Sequence, residues 1–321
     1  MGFEVKDLAG VSEPTKKLIE VVSRGIGTMY RPRALRNEAD AKAYGIRVLA
    51  AAEAESVVVK AHGQAQADLE RIRSLAAGDP EILERARIRL LSREVEGQLN
   101  VEAIAEHALT SLPTSVSSQP VADDWRRKFF LEAENICDRD LQLLWGKILA
   151  GEVTSPGSYS LRTLEVLKHL SKSEAELFRK ACNIAFRDGW ILMPGHDVNV
   201  ALEPYGLPYP ELLSLRDAGL LHQGDELIRQ FTDPTTSILT TILINNGILM
   251  ELSGPLQHAR IPSLPFTRAG QELQNLMDPN PCMPYLKSVA AFLRGRGLTV
   301  RKVTETISDT GQTIGSFVED F

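Results

Sequence analysis

Residues 39–76 read ADAKAYGIRVLAAAEAESVVVKAHGQAQADLERIRSLA, and small or apolar residues return there every eleven positions. Steps of four, three and four residues give about 3.67 residues per turn, so the resulting stripe stays nearly straight along a helix. Alanine at most of these positions lets a second helix approach closely. We therefore predict a long helix over about residues 33–77 that serves assembly. The positions that we assign to oligomerisation are Ala39, Ala43, Ile46, Ala50, Ala54, Val57, Ala61, Ala65 and Ile72.

The end of this helix is marked by Gly78-Asp79-Pro80. Asp79 is a suitable N-cap for a following helix, and proline fits the first turn of a helix. Apolar residues at helical spacing then continue to residue 111. Two helices joined by a tight turn favour an antiparallel hairpin over residues 33–111. Whether its helices pair within one chain or between chains stays open at this level, as does the number of chains.

The rest of the chain divides by composition into further segments. The predicted fold is mainly α with a smaller α+β part: a long N-terminal helical hairpin, a central helical bundle and a winged-helix-like C-terminal domain. A polar linker bounded by prolines separates the hairpin from the bundle and is the clearest domain boundary. The predicted segments are 1–32 (short and amphipathic), 33–111 (hairpin), 112–121 (linker), 122–187 (bundle), 188–278 (winged-helix-like) and 279–321 (α/β tail).

The winged-helix-like prediction rests on the order of elements after residue 188. A helical pattern over 210–220 is followed by two β-rich runs, 238–244 and 248–252. Asn246-Gly247 between them is the strongest short-range signal for a β-hairpin. A Thr-x-x-Gly helix start follows at Thr267. The tail adds a predicted helix over 284–294 and two short strands.

A further pattern runs from Asp123 to Phe178. It reads DDWRRKFF from residue 123, DLQLLWGKILAGE from 140, PGSYS from 156 and LSKSEAELF from 170. This pattern resembles an uncharacterised bacterial family, a domain of unknown function. Over about residues 120–275 it also resembles the abortive-infection alpha proteins of bacterial phage defence. The resemblance carries over no catalytic residue; it implies a role in phage defence without a reaction.

Composition limits the classes of protein that remain. At 321 residues the chain is long enough for two or three domains, and its net charge of -6 gives no global attraction to nucleic acid. The three cysteines are widely spaced, so neither a disulfide framework nor a zinc knuckle is expected. Their spacing favours a reducing, cytoplasmic setting, and no signal peptide and no apolar run of about 20 residues stands out. No cofactor is expected.

A basic stretch over residues 24–47 holds six positive and two negative side chains. Arg31, Arg33 and Arg36 are its candidates for binding phosphate, in nucleic acid or in anionic lipid. We favour a solvated helix start, in which Glu38 pairs with Lys42 one turn later. Nucleic-acid binding and peripheral membrane contact therefore rank below the assembly hypothesis.

The remaining polar residues give no catalytic or metal-binding motif. His196-Asp197 is the one adjacent pair of histidine and carboxylate, and a surface turn explains it best. Trp125 and Trp145 fall on the apolar sides of their helices and are predicted to be core residues. The acidic residues considered for a metal nuclease are better explained by helix starts; they are Asp123, Asp124, Glu132 and Glu134.

These observations favour a non-enzymatic scaffold or effector that assembles with copies of itself and contacts other proteins. Bacterial phage defence is the setting that the resemblance implies. The alternative is a regulator that binds nucleic acid through the winged-helix-like domain and the basic stretch 24–47. The predicted helix 208–220 carries a net charge of minus one, which is unlike a DNA-recognition helix. The trigger and the partners are not encoded in any recognised motif.

Overall fold

The computed structural model describes residues 11–35, 81–195, 197, 200–224, 227–231, 238–255, 259–277, 279–307 and 313–319. Most of the predicted helix 33–77 lies outside these residues, and so do all its stripe positions. The fold is mainly helical with a smaller sheet part, as predicted. Two compact units divide the chain, Met1–Ser158 and Tyr159–Phe321. They are described separately.

The first unit is helical throughout its described part. Its elements are α1 (Glu13–Ile26), a short 3-10 helix (Arg33–Leu35), α2 (Ile82–Ser111), α3 (Asp123–Ala133) and α4 (Arg139–Thr154). The sequence sets the ends of α1 directly. Pro14 occupies its first turn, and Gly27 ends it with a φ of 71° that side-chain-bearing residues rarely adopt. The first three residues of the predicted helix 33–77 thus form a 3-10 turn rather than α-helix.

The core of this unit is aromatic where α3 meets α4. The rings of Trp125 and Phe129 stack with centroids 4.9 Å apart, and Trp145 lies 5.1 Å from Phe129. Trp125 is 4% exposed and Trp145 is fully buried. The prediction that both tryptophans are core residues is therefore confirmed.

Helices α2 and α4 approach closely at Gly146. A Cβ built on this glycine would lie 2.5 Å from the Cβ of His107 and 3.0 Å from the backbone nitrogen of Ala108. Only a residue without a side chain fits between these backbones.

The predicted linker is also held in the unit, because Lys17 Nζ donates to the carbonyl of Ser117 at 2.7 Å.

The second unit combines helices with two antiparallel sheets. Its helices are α5 (Leu161–His169), α6 (Lys172–Ile184), α7 (Tyr209–Asp217), α8 (Arg268–Gln274) and α9 (Met283–Gly295), with a 3-10 turn at Glu203–Tyr205. Its strands are β1 (Trp190–Leu192), β2 (Leu227–Gln230), β3 (Ile238–Asn245), β4 (Ile248–Pro255), β5 (Arg260–Pro265), β6 (Thr299–Ile307) and β7 (Thr313–Glu319). The predicted tail elements are confirmed within one or two residues.

The first sheet has the strand order β1-β5-β2, and the second has the order β3-β4-β6-β7. In the first sheet, Ser263 of β5 pairs with Leu192 on one side and Leu227 on the other. The hairpin β3–β4 therefore lies in the chain between two strands of the first sheet but belongs to the second. It pairs further with β6, from Leu249–Val303 to Ser253–Thr299.

Two local predictions in this unit are confirmed. Ser171 and Glu174 form a capping box at the start of α6, with each side chain bonded to the other residue's backbone N–H. Asn245 pairs with Ile248, so Asn246-Gly247 is a two-residue turn. Both turn residues have positive φ, 46° and 87°, as a type I′ turn requires.

Candidate interaction surface on helix α2

The two halves of helix α2 differ in burial. In the C-terminal half, Val101, Ile104, Ala105 and Ala108 are at most 1% exposed. In the N-terminal half, every side chain from residue 81 to residue 90 is exposed. Large apolar side chains are among these, namely Ile82 (42%), Leu83 (45%), Ile88 (55%) and Leu90 (43%). Large exposed apolar side chains that are grouped on one stretch of a helix often mark a site of interaction.

Part of this surface continues the buried face of the same helix. Leu83, Leu90, Gly97 and Ile104 are spaced seven residues apart, so they lie along one side of α2. Gly97 and Ile104 are buried in the first unit, whereas Leu83 and Leu90 are exposed. The apolar face of α2 is thus longer than the described helices that cover it.

The chain is hydrogen-bonded to the C-terminal half of α2 just before residues 36–80. The backbone N–H of Arg33 donates to Glu106 Oε1 at 2.7 Å, and the Tyr30 hydroxyl lies 3.4 Å from the same oxygen. Tyr30 is fully buried, and its backbone N–H donates to Ser23 Oγ at 2.9 Å. One end of the predicted helix 33–77 is therefore fixed beside residue 106 of α2.

Of the predicted phosphate-binding residues, the structure describes Arg31 and Arg33. Arg36 lies outside the described residues. Arg31 has an interaction partner, and Arg33 uses its backbone to bind Glu106. Arg24, from the same basic stretch, pairs with Glu20 at 2.8 Å.

The other residues weighed as sites also take up structural positions. Asp123 lies in the first turn of α3 and pairs with Arg126 at 2.7 Å, while Asp124 Oδ1 accepts from the backbone N–H of Trp125. Glu132 pairs with Lys128 at 3.0 Å. His196 lies outside the described residues. Among the described residues, no group of three or more His, Cys, Asp or Glu side chains could hold a metal ion.

In the second unit, α7 offers little positive charge to a partner. Arg216 is 4% exposed, and its guanidinium donates to the carbonyl of Gly224 at 2.8 Å. The exposed side chains of α7 include Leu213 (40%) and Asp217. Helix α7 therefore exposes no cationic side chain.

The turn between β3 and β4 is held against the C-terminus of α6. The side-chain amide of Asn246 donates to the carbonyls of Cys182 (3.2 Å) and Asn183 (3.0 Å). The amide of Asn245 donates to the carbonyl of Ala185 at 2.8 Å. These bonds satisfy carbonyls that a helix end leaves without partners. The tip of this hairpin is therefore packed against its own unit.

Two polar clusters of the second unit have no counterpart among the sequence motifs. In one, the Arg229 guanidinium pairs with Asp188 and lies 4.5 Å from the ring centre of Phe231 and 5.7 Å from that of Trp190. Burial lowers the pKa of Arg229, and the Asp188 carboxylate opposes that shift. Its members come from two segments about 40 residues apart in the chain, 188–190 and 229–231, so no local spacing signals the cluster.

The other cluster surrounds Glu272 of α8. Its carboxylate accepts from the Ser160 backbone N–H (2.7 Å), the Thr163 hydroxyl (2.5 Å) and Arg268 Nε (2.8 Å). Burial alone would raise the pKa of this carboxyl group, but the hydrogen bonds outweigh burial and the pKa lies below its usual value. Because Ser160 is the N-cap of α5, Glu272 joins two helices of the unit.

A family model decides the relationship of the chain to known proteins. The model described as a protein of unknown function, DUF2806, matches residues 84–290, which is more than half of the chain. The chain belongs to the DUF2806 family. The predicted resemblance to a domain of unknown function is thereby confirmed, while no link to abortive-infection proteins emerges. No curated protein and no solved structure gives a significant match.

The DUF2806 match covers part of each of the two units. It begins at Glu84, inside the exposed half of α2, and ends at Ala290 in α9. It thus includes Ile88 and Leu90 together with both polar clusters. The alanine stripe over residues 39–76 precedes the match.

No helix among the described residues combines the length and apolar character needed to cross a membrane.

Proposed function

We propose that this DUF2806 protein is a non-enzymatic scaffold or effector that assembles with copies of itself and contacts other proteins. The observation that carries the proposal is the exposed apolar N-terminal half of α2. Leaving Leu83 and Leu90 in water is unfavourable, at about 25 cal/mol per Å² of apolar surface. A partner helix that covers them recovers this free energy. The predicted helix 33–77, with its alanine stripe, supplies a suitable partner.

The geometry limits how this pairing takes place. Arg33 is bonded beside Glu106, and the 24 residues from Ile82 to Glu106 rise about 36 Å along a helix. A straight helix over the 45 residues 33–77 is about 67 Å long by the same rise. A hairpin within one chain therefore needs a bend or break in the predicted helix, and Gly45 and Gly63 are the places where the sequence permits one. Without such a bend the chain cannot reach Ile82, because the five residues after residue 77 span at most about 18 Å.

The second unit is proposed to act as a winged-helix-like module for protein contacts. Three features support this assignment: α6 precedes β1, α7 lies between β1 and β2, and the three strands have the order β1-β5-β2. Arg216 of α7 is turned inward to Gly224, and the turn at Asn246 is bound to α6. Both features favour a protein partner over DNA. The setting in phage defence rests on the resemblance of residues 120–275 alone.

Glutamate substitutions on the stripe test the proposal. In full-length protein, Ala50→Glu and Ala61→Glu place a charge on the stripe, and each should lower the mass measured by light scattering. Ala52→Glu is the matched control, because position 52 lies about 200° around the helix from position 50. The proposal fails if the wild-type protein is a monomer. It also fails if the stripe variants keep the wild-type mass.

One observation favours nucleic-acid binding as a second candidate function. Residues 279–304 carry five positive side chains and no negative one in a chain of net charge -6. They are Lys287, Arg294, Arg296, Arg301 and Lys302. Phosphate contacts make binding fall steeply with salt concentration. The test is a titration with duplex DNA and with RNA, repeated across salt concentrations. This function is supported if the binding constant falls steeply with salt and Arg294→Glu makes that dependence weaker. It is removed if neither nucleic acid binds at low salt.

A further inference from the structure

Helix α2 carries a second apolar face, distinct from the one that continues its buried side. Ile88, Leu91, Val95 and Leu99 follow each other at steps of three, four and four residues. At 100° per residue they lie within a sector of about 80°, and its centre is about 135° from that of Leu83 and Leu90. Ile88 is 55% exposed and Leu99 is 53% exposed, while Leu91 and Val95 are half-buried. One partner helix cannot cover both faces.

Two exposed residues of opposite charge flank this second face. Arg87 and Glu94 are seven residues apart, so they lie one above the other on the same edge of the face. Neither forms an ion pair with another of the described residues. In heptad terms, Ile88 and Leu91 occupy the a and d positions, and Arg87 and Glu94 occupy successive g positions.

This pattern is complementary to itself when the helix is reversed. With a two-fold axis near Arg89 and Leu90, Ile88 lies opposite Leu91 of a second copy, and Arg87 lies opposite Glu94 of that copy. The symmetry repeats each contact, which gives two apolar layers and two ion pairs from one short stretch. A parallel pairing lacks these ion pairs, because the e position that would face Arg87 is Ser92.

We propose that two copies of this chain pair in antiparallel orientation through Ile88 and Leu91, and that Arg87 and Glu94 fix that orientation. The inference deepens the proposed function and rests on it: it names the partner of α2 as a second α2. The Leu83–Leu90 face remains available to the predicted helix 33–77. Each chain would thus use one face of α2 for a stripe helix, its own or that of another copy, and the other face for the two-fold contact.

Charge reversal in the full-length protein tests the contact. Arg87→Glu and Glu94→Arg each convert both ion pairs of the dimer into repulsions. We expect each to weaken dimerisation about tenfold by sedimentation equilibrium, and the double variant to return within about threefold of wild type. Arg89→Glu is the matched control: it makes the same change on the same exposed turn, about 115° from the face, and should leave the dissociation constant unchanged.

Mixing the two single variants separates a contact between chains from one within a chain. Their heterodimer places opposite charges together at both pairs, so the mixture should form dimers at concentrations where each variant alone is monomeric. If residues 36–80 of the same chain cover the face instead, neither the mixture nor the double variant will restore dimerisation, and the inference is overturned.

The outcomes for the inference and for the proposed function are distinguishable. If Ala50→Glu dissociates the protein while Arg87→Glu leaves its mass and dissociation constant unchanged, the inference fails and the proposed function stands. If charge reversal acts as expected while Ala50→Glu has no effect, the two-fold contact stands and the stripe loses its assigned role. A monomeric wild-type protein overturns both.

Discussion

Replacing Gly146 by alanine is the sharpest test of how α2 and α4 are packed. The added Cβ would lie 2.5 Å from the Cβ of His107 and 3.0 Å from both the backbone nitrogen of Ala108 and the carbonyl oxygen of Ile104. Two of these three atoms belong to the backbone of α2, which no change of rotamer can move. The two helices must therefore separate.

The expected loss of stability follows from two opposing effects. Overpacking a well-filled core costs about 1–3 kcal/mol. Alanine is better than glycine in a helix interior by about 1 kcal/mol, and this partly offsets the clash. Because the clash is with backbone, we take the upper end of the packing cost and expect Gly146→Ala to lower the free energy of unfolding by about 2 kcal/mol.

Urea denaturation, followed by tryptophan fluorescence, measures this difference, since Trp125 and Trp145 are both in the affected unit. Gly295→Ala is the control, because Gly295 is also helical and a Cβ there meets nothing within 4 Å. It should stabilise the protein by up to about 1 kcal/mol. If Gly146→Ala is as stable as wild type, the close approach of α2 and α4 at this point is refuted.

Three further predictions concern the second unit and the cysteines. The pKa of Glu272 is lowered in the folded protein, so its stabilising effect is present above the carboxyl group's unfolded pKa and is lost as the pH falls through the folded value. Glu272→Gln should therefore lower the denaturation midpoint at pH 7, and this loss should shrink as the pH falls below the unfolded pKa of the carboxyl group; a loss that is independent of pH would contradict this. Cys137 is exposed and should react with iodoacetamide in the native protein. Cys182 is buried, which raises its pKa, so it should react only after unfolding. Mass spectrometry of the alkylated protein distinguishes the two. Asn246→Ala removes two hydrogen bonds to α6 and a residue suited to positive φ, and should cost about 1–3 kcal/mol in a chemical melt; Asn246→Gly, which keeps the turn conformation, should cost less.

Sequence predicted well the features whose causes are local. Asn246-Gly247 has few conformations open to it other than a tight hairpin turn, and Ser171 with Glu174 completes its capping box within four residues. The two tryptophans were recognisable as core because their apolar neighbours repeat at helical spacing. In each case the residues that determine the structure are close in the chain.

The features that sequence did not predict depend on distant residues. Arg229 lies 41 positions from Asp188, and Glu272 lies 112 positions from Ser160. A single sequence carries no signal that joins them. The predicted assembly positions, at residues 39–76, lie outside the described residues and stay a prediction. The exposed apolar residues of α2 were not recognised, because their spacing is that of an ordinary amphipathic helix. The sequence does not show which of these residues are buried.

The pairing of β4 with β6 has a consequence for biosynthesis. Leu252 is bonded to Val300, which is synthesised 48 residues later, so β4 emerges from the ribosome with one long edge unpaired. An open strand edge is a template for association with other chains. Until α9 and β6 follow, the nascent β3–β4 hairpin is exposed to such errors, and long-range pairings of this kind form slowly. A chain that stops before residue 299 keeps that edge permanently, and we expect translation products ending there to aggregate.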